Sequence, residues 1–252
     1  MRNRLVGWIL AVAALSFSPA ILAQTGVRPG TAEDPASAPA QALSGVWTRA
    51  RGYGRSFSPN EVPPMLPWAA KRFQTIREGI SNPNQQGRDE LDPVITDCAP
   101  VGVPRIMLFP RAFEFIQIPG RVLMFFEWDH IVRQIFTDGR ELPEDPDPIW
   151  LGHSVGRWDG DALVVDTIGL NDTTWLDSVG HPHTEALHVV ERIRRVDTEV
   201  LEIDFTFDDP QAYTKPWTSK VAYQLRPDWE IIEHFACENK ELYGDYLLKG
   251  TR

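Results

Sequence analysis

The chain has 252 residues, of which 42% are hydrophobic and 24% are charged, and its formal net charge is −10. These proportions are typical of a globular protein and exclude a mostly disordered or fibrous chain. The 18 glycines and 21 prolines disfavour the long uninterrupted helices of a helical bundle. The acidic charge gives no electrostatic basis for binding nucleic acid through its phosphates, so no nucleic-acid partner is expected.

Residues 1–23 have the pattern of a signal peptide. Arg2 and Arg4 precede an apolar run from Leu5 to Leu15, and small residues follow as far as Ala23. The run is shorter than the roughly 20 apolar residues that a membrane anchor needs, so the pattern predicts export with cleavage after Ala23. We therefore expect a periplasmic or secreted protein that has no membrane attachment once the signal peptide is removed.

Residues 24–42 are rich in Ala, Pro, Ser and Gly and contain no aromatic residue. Such a segment buries too little apolar surface to offset the entropy that ordering it would cost, so it is predicted to be a flexible tether. A single β-rich domain is expected to follow, from residue 43 to residue 252.

One helix is predicted near the start of this domain. Between residues 66 and 80 the apolar positions recur at intervals of three and four residues, and a stretch containing glycine and proline follows. This spacing places the apolar residues on one face of a helix. The preceding residues, 48–64, are dense in Gly, Ser and Pro and predict turns with little regular structure.

Cys98 and Cys237 are the only cysteines in the chain. An even number of cysteines in an exported protein predicts a disulfide bond, because the compartments outside the cytoplasm permit thiol oxidation. The alternative is a pair of buried free thiols.

From residue 104 onward the hydrophobic period changes to two, as in strands with one buried face. Short turns rich in Gly, Asp and Pro separate the alternating segments. The predicted strands are residues 105–109, 113–118, 121–129, 132–136, 162–168, 187–196, 200–207, 219–225 and 230–235. About nine sequential strands predict an all-β, mainly antiparallel fold: a lipocalin-like barrel or a strongly curved sheet with one N-terminal helix, and as the alternative a β-sandwich.

Residues 152–156 read Gly-His-Ser-Val-Gly, which matches the nucleophile elbow of serine hydrolases with Ser154 as the nucleophile. The elbow needs a strand before it and a helix after it, whereas prolines stand just upstream and a turn leads into a strand downstream. The alternating strand and helix pattern of that fold is also missing from the sequence. A serine hydrolase is therefore the less favoured interpretation, and a strand end with glycines at turn positions is the favoured one.

The histidines are clustered: all six lie between His130 and His234, and five of them fall within 59 residues. Imidazole can donate and accept protons near neutral pH, and a nearby carboxylate can fix its tautomer. The cluster therefore predicts acid–base chemistry. The expected acid and base are His183 and His188, with His153 and His130 as the second pair and Glu191 or Asp177 as the orienting carboxylate.

A divalent metal is an alternative use of the same cluster. Alternate residues of an extended chain share a face, so His181 and His183 could converge, and His188 could join them after a bend. No standard zinc spacing is matched, so no cofactor is predicted. A third interpretation is a solvent-facing loop of polar residues.

Aromatic and cationic residues near the predicted strand ends are candidates for lining a small-molecule pocket. Aromatic rings cover apolar ligand surface with few rotatable bonds. The candidate ligand-binding residues are Trp150, Trp175, Tyr213, Lys215 and Trp217. Packing in the core is the alternative role for each tryptophan.

These observations predict an exported β-barrel-like enzyme that uses histidine and carboxylate acid–base chemistry on a small, partly apolar organic substrate. Elimination, hydration, isomerisation and hydrolysis all fit this chemistry. The alternative from a different class is a periplasmic binding protein that carries a small apolar ligand without catalysis. Convergence of two histidines on one carboxylate in a cavity would favour the enzyme.

Several of these segments together resemble a family of exported bacterial proteins. The matching segments are GHS and GRW within residues 152–158, GD at 160–161, LVVDT at 163–167, ND and TWLD within 171–177, HPH at 181–183, LHVVER at 187–192 and AYTKPW at 212–217. The resemblance covers about residues 92–239. It implies an exported single domain, and it implies no catalytic roles because the family carries no assigned reaction.

Overall fold

Nine β-strands close into a barrel. The computed structural model describes residues 42–52, 54–81 and 92–236, so the predicted signal peptide, nearly all of the predicted tether and Cys237 lie outside the described residues. The expected all-β barrel is confirmed, and the β-sandwich is not the fold that forms. The strands are β1 (Gly45–Arg49), β2 (Phe113–Ile118), β3 (Arg121–Phe126), β4 (Val132–Phe136), β5 (His153–Asp159), β6 (Ala162–Ile168), β7 (His188–Asp197), β8 (Val200–Asp208) and β9 (Trp217–Leu225).

The strands follow one another around the barrel in sequence order, and one neighbouring pair is parallel. An odd number of strands cannot alternate in direction all the way around a closed barrel, so nine strands require one parallel pair. That pair is β4 and β5, which share two register positions, Ile135 with Ser154 and Phe136 with Val155. Residues 137–152 must therefore return along the barrel to the end where β4 began. We call residues 137–152 the return segment.

The two ends of the barrel differ. At one end, turns of two residues join β2 to β3, β5 to β6 and β7 to β8. At the other end, which we call the capped end, the long connections 50–112, 169–187 and 209–216 leave and re-enter the barrel. Long connections carried by a rigid scaffold are where binding and catalytic residues concentrate.

Helix α1 (Pro67–Ser81) lies at the capped end and confirms the helix predicted over residues 66–80. It begins at a proline, whose fixed φ suits the first helical position. Its apolar face buries Ala69 and Ile76 completely, and Phe73 on the same face stacks on the ring of His181 with the ring centroids 4.3 Å apart. A second, short helix, α2, spans Pro93–Thr96. Within the described ranges, no helix combines the length and the apolarity needed to span a bilayer.

Gly180 allows the loop beneath α1 to approach the helix closely. Its φ is +97°, and a Cβ added there would lie 2.2 Å from Cγ2 of Ile76. Gly180→Ala is expected to lower the free energy of unfolding by about 2–4 kcal/mol, because left-handed backbone strain adds to overpacking against the helix. Urea denaturation measures this loss.

Gly139 provides the matched control for that substitution. Its φ is +85°, yet no atom lies within 4 Å of an added Cβ. Gly139→Ala is therefore expected to show the strain cost alone, about 1–2 kcal/mol. Equal losses in the two variants would show that α1 does not pack tightly on Gly180.

Side chains fill the barrel interior, which is apolar except for one polar cluster. Its largest fully buried apolar and aromatic side chains on the strands are Trp47, Phe115, Met124, Phe205, Phe207 and Tyr223. Arg133 and Glu191 share this interior and form a buried ion pair. A filled interior does not favour a lipocalin-like ligand chamber at the centre of the barrel.

Prediction and structure differ at four elements: two predicted strands do not form, and two strands that form were not predicted. Residues 105–109 were predicted as a strand but contain the 3₁₀ helix Arg105–Leu108. All four residues of this helix are buried, so the spacing of its apolar residues does not distinguish a helix from a strand. Residues 230–235 form no strand. Strands β1 and β5 were not predicted. β1 is only five residues long, and in β5 the alternation is interrupted by Gly156, where an added Cβ would meet Cγ2 of Ile135 at 2.9 Å.

Candidate active site

A buried imidazole and carboxylate lie together at the capped end. Asp177 is fully buried and His181 is 2% exposed, and Nδ1 of His181 donates to Oδ2 of Asp177 across 2.7 Å. Both residues belong to the connection between β6 and β7. Within the same connection, the backbone N–H groups of Val179 and His181 also donate to Oδ1 of Asp177. These hydrogen bonds hold the loop in place around the Asp177 carboxylate.

The surroundings of Asp177 keep its side chain ionised. Burial by itself raises the pKa of a carboxyl group, but here the hydrogen bonds outweigh it. His181, the backbone N–H of Phe57 and the hydroxyl of Ser56 all donate to Oδ2, and they hold the pKa of Asp177 below its usual range. The ionised carboxylate fixes Nδ1 of His181 as a proton-bearing nitrogen.

The opposite ring nitrogen of His181, Nε2, has no hydrogen-bond partner among the described residues, and it is not one of the fully enclosed polar atoms. Phe73 covers one face of the ring, and the ring centroid of Trp217 lies 6.2 Å away. Nε1 of Trp217 is itself buried without a partner in the described part of the chain. An unused acceptor and an unused donor therefore lie in the same apolar surroundings.

His183 lies in the same loop but has both ring nitrogens occupied. Nδ1 donates to the carbonyl oxygen of Thr184 at 3.2 Å, and Nε2 is 3.5 Å from the hydroxyl of Thr174, from which it can accept. Burial lowers the pKa of His183, so the neutral imidazole is favoured. Tyr213 stabilises the chain between the two histidines, because its hydroxyl donates to the carbonyl oxygen of Pro182 at 2.8 Å, and burial raises the pKa of that hydroxyl.

The buried neutral His183 predicts a pH dependence of stability. Below pH about 6.5 the unfolded chain takes up a proton at this imidazole while the folded protein resists it, so the free energy of unfolding falls as the pH is lowered. We expect His183→Gln to reduce the loss of stability measured by urea denaturation between about pH 7 and pH 5. The partly exposed His153 provides the control, and His153→Gln should retain the wild-type slope. An unchanged slope in His183→Gln would contradict this assignment.

The other predicted acid–base residues lie elsewhere. His188 is on the outer face of the barrel, where Nε2 donates to Oδ1 of Asp166 at 3.0 Å. Nε2 of His153 and Nε2 of His130 each donate to a backbone carbonyl oxygen, that of Asp147 and that of Ile232 respectively, at 3.1 Å. Glu191 is inside the barrel with Arg133. The structure therefore brings together Asp177 and His181, and it does not bring two of His130, His153, His183 and His188 onto one carboxylate.

Ser154 is the second residue of β5, and its side chain lies in the barrel interior. Its Oγ is 2.9 Å from Oγ1 of Thr167 and accepts from Nε and an Nη of Arg133 at 3.3 and 3.2 Å. The helix that a nucleophile elbow requires does not follow, because β5 continues to Asp159. Among the described residues no histidine is hydrogen-bonded to Ser154.

The predicted ligand-binding residues occupy several environments. Tyr213 and Trp217 pack near His181, with ring centroids 5.6 Å apart, whereas Lys215 is exposed. Trp175 is buried, and the guanidinium of Arg105 lies 5.5 Å from its ring centroid. The carbonyl oxygen of Trp150 accepts a hydrogen bond from the N–H of Val103.

The described residues contain no group of three or more His, Cys, Asp or Glu side chains placed to hold a metal ion.

Comparison of the chain with protein-family models finds no match, and comparison with curated proteins finds no significant relative. The resemblance to exported bacterial proteins therefore stays a prediction.

Sequence reasoning selected Asp177 but placed His181 only among metal ligands. The spacing of four residues between Asp177 and His181 in a turn-rich segment was the available signal, because a short loop can close such a pair. Ser56, which donates to Asp177, lies more than a hundred residues away and carried no local signal.

Proposed function

We propose that this protein is an acid–base enzyme in which Nε2 of His181 takes a proton from a small, partly apolar substrate. The observation that carries the proposal is the buried hydrogen bond between Asp177 and Nδ1 of His181, with Nε2 left without a partner in the described ranges of the chain. A carboxylate that holds one imidazole nitrogen leaves the other as a base and stabilises the imidazolium that forms when the base accepts a proton.

Trp217 supplies the second part of the proposed site. Its buried N–H has no acceptor in the described part of the chain, and leaving a buried donor unpaired costs about 1–3 kcal/mol. A substrate oxygen that gains negative charge as the proton leaves would accept this hydrogen bond. Proton removal from a carbon beside a carbonyl group fits this pairing of base and donor. The imidazolium then returns the proton at another atom, which completes an isomerisation, or gives it to a leaving group, which completes an elimination.

A general-base assay that needs no knowledge of the natural substrate tests the proposal. Nitrobenzisoxazole is small and apolar, and removal of its ring proton opens the ring to a coloured phenolate. We expect the wild-type protein to catalyse this opening and His181→Gln to lose about a hundredfold of the rate. His153→Gln provides the control and should retain the rate. Equal rates in the wild-type protein and His181→Gln would overturn the proposal.

We also propose that the protein is exported and carries a disulfide bond between Cys98 and Cys237. The basic and apolar pattern of residues 1–23 and the even number of cysteines support this proposal. Protein recovered from the periplasm or the medium should begin at Gln24 and show no free thiol in denaturant. An uncleaved N-terminus would contradict export, and two free thiols would contradict the bond.

A further inference from the structure

A cavity of about 480 Å³ opens in the barrel wall between β4, β5 and the return segment. We call it the seam cleft. Its volume lies within the range of small-molecule sites. Its apolar walls include Val132, Ile149 and Leu151, and its lining includes two residues of the barrel interior, Arg133 and Ser154. None of the residues described around His181 lines it, so it is a separate site.

The topology explains why a cleft forms here. β4 and β5 are the one parallel pair of the barrel, and they share two register positions. Neither Arg133 on β4 nor His153 on β5 belongs to these backbone register positions, although the side chain of Arg133 donates to Oγ of Ser154 on the facing strand. The backbone pairing of the two strands therefore stops beside Arg133 and Ser154, which line the cleft and are 1% and 3% exposed.

The polar floor of the seam cleft carries almost no net charge. Arg133 donates to both carboxylate oxygens of Glu191, so its positive charge is neutralised inside the barrel. At the rim, Arg140 is paired with Asp138, and Glu141 adds a negative charge. An anionic ligand would meet Glu191 behind Arg133 and Glu141 at the entrance, so a carboxylate is disfavoured.

A hydrogen-bond count shows that the floor has one donor to spare. Ser154 and Thr167 each have one hydroxyl hydrogen, and both oxygens already accept from Arg133. Their single mutual hydrogen bond at 2.9 Å uses one of the two hydrogens. The other hydrogen has no acceptor among the described residues, and when Thr167 donates to Ser154 the spare hydrogen belongs to Ser154.

From these observations we propose that the seam cleft binds a neutral, largely apolar organic molecule through a carbonyl oxygen. The carbonyl oxygen accepts a hydrogen bond from the hydroxyl of Ser154, and the apolar body of the ligand lies against Val132, Ile149 and Leu151. Val132 and Ile149 are 45% and 41% exposed, so a ligand in the cleft would bury apolar surface that now faces water. This inference does not rest on the proposed acid–base function.

Calorimetric titration with medium-chain ligands of one length tests the inference. We expect decanone to bind saturably, and decanoate to bind about tenfold more weakly or not at all, because the carboxylate meets two acidic groups. Ser154→Ala should weaken decanone binding about tenfold, which corresponds to one hydrogen bond. The thermal midpoint of Ser154→Ala is measured alongside, so that a loss of folding is not taken for a loss of binding.

Two valines of nearly equal exposure test whether decanone binds in the seam cleft. Val132 lines the cleft, whereas Val196 on β7 does not, and the two are 45% and 44% exposed. Val132→Glu should abolish decanone binding, and Val196→Glu should leave it unchanged. The inference is overturned if decanone fails to bind the wild-type protein, if decanoate binds more tightly than decanone, or if Val132→Glu binds decanone normally. His181→Gln should bind decanone with wild-type affinity, which keeps this test separate from that of the acid–base site.

Discussion

Glu191→Gln is expected to lower the free energy of unfolding by about 3–5 kcal/mol, because it leaves the guanidinium of Arg133 charged and unpaired inside the barrel. Arg133 is 1% exposed and Glu191 is fully buried, so water cannot replace the lost carboxylate. The substitution preserves the size of the side chain, so the loss reports charge rather than packing. Urea denaturation at neutral pH measures it.

Glu202→Gln is the matched control on the neighbouring strand β8. Glu202 pairs with Lys220 at 3.0 Å, but both side chains are partly exposed to solvent, and removing this pair should cost at most about 1 kcal/mol. Replacing both buried partners, Arg133→Met with Glu191→Leu, should restore much of the stability, since no buried charge then remains. A loss below about 1 kcal/mol in Glu191→Gln would show that Arg133 is not held in a dry interior.

Asp177→Asn is expected to reduce the rate of nitrobenzisoxazole opening by about a hundredfold or more. It should lower the free energy of unfolding by less than Glu191→Gln does. The amide turns one oxygen into a donor, although both oxygens of Asp177 accept hydrogen bonds in the native protein. The tautomer of His181 is then no longer fixed, and the imidazolium loses its counter-charge. Initial rates at several pH values, with urea denaturation of the same sample, separate the two effects.

Asp166→Asn provides the control for this prediction, because Asp166 also pairs with a histidine, His188, but on the outer face of the barrel. It should leave the rate within about twofold of the wild-type value. A rate in Asp177→Asn equal to that in Asp166→Asn would show that the buried pair is structural rather than catalytic.

The fold was predictable in strands whose side chains alternate between a solvent-facing side and a buried side. β8 shows this alternation along its whole length, from Leu201 to Phe207. Where the alternation is missing, prediction failed for local reasons. The segment Arg105–Leu108 is buried on all sides, and β5 contains Gly156, whose missing side chain makes room for a neighbour on β4. The closure of β1 on β9 depends on residues about 180 apart in sequence, which no local pattern reports.

The candidate site was only partly predictable because its contacts are not local. The histidine-rich segment 181–188 drew attention to the correct loop. Which imidazole meets a carboxylate depends on how that loop turns, and on the donation from Ser56 and Phe57 to Asp177. The packing of Phe73 on His181 likewise depends on where α1 lies. Glu191 appeared equally suitable in sequence, but the alternation of β7 directs it into the barrel toward Arg133.

The tautomer of His181 in solution tests the central claim most directly. Long-range nitrogen and proton correlation spectra of protein labelled at histidine report which ring nitrogen carries the proton, and the His181→Gln variant assigns the signal. We predict that neutral His181 carries its proton on Nδ1, with an unprotonated Nε2, and that Asp177→Asn mixes the two tautomers. A neutral His181 that carries its proton on Nε2 in the wild-type protein would contradict the proposed base.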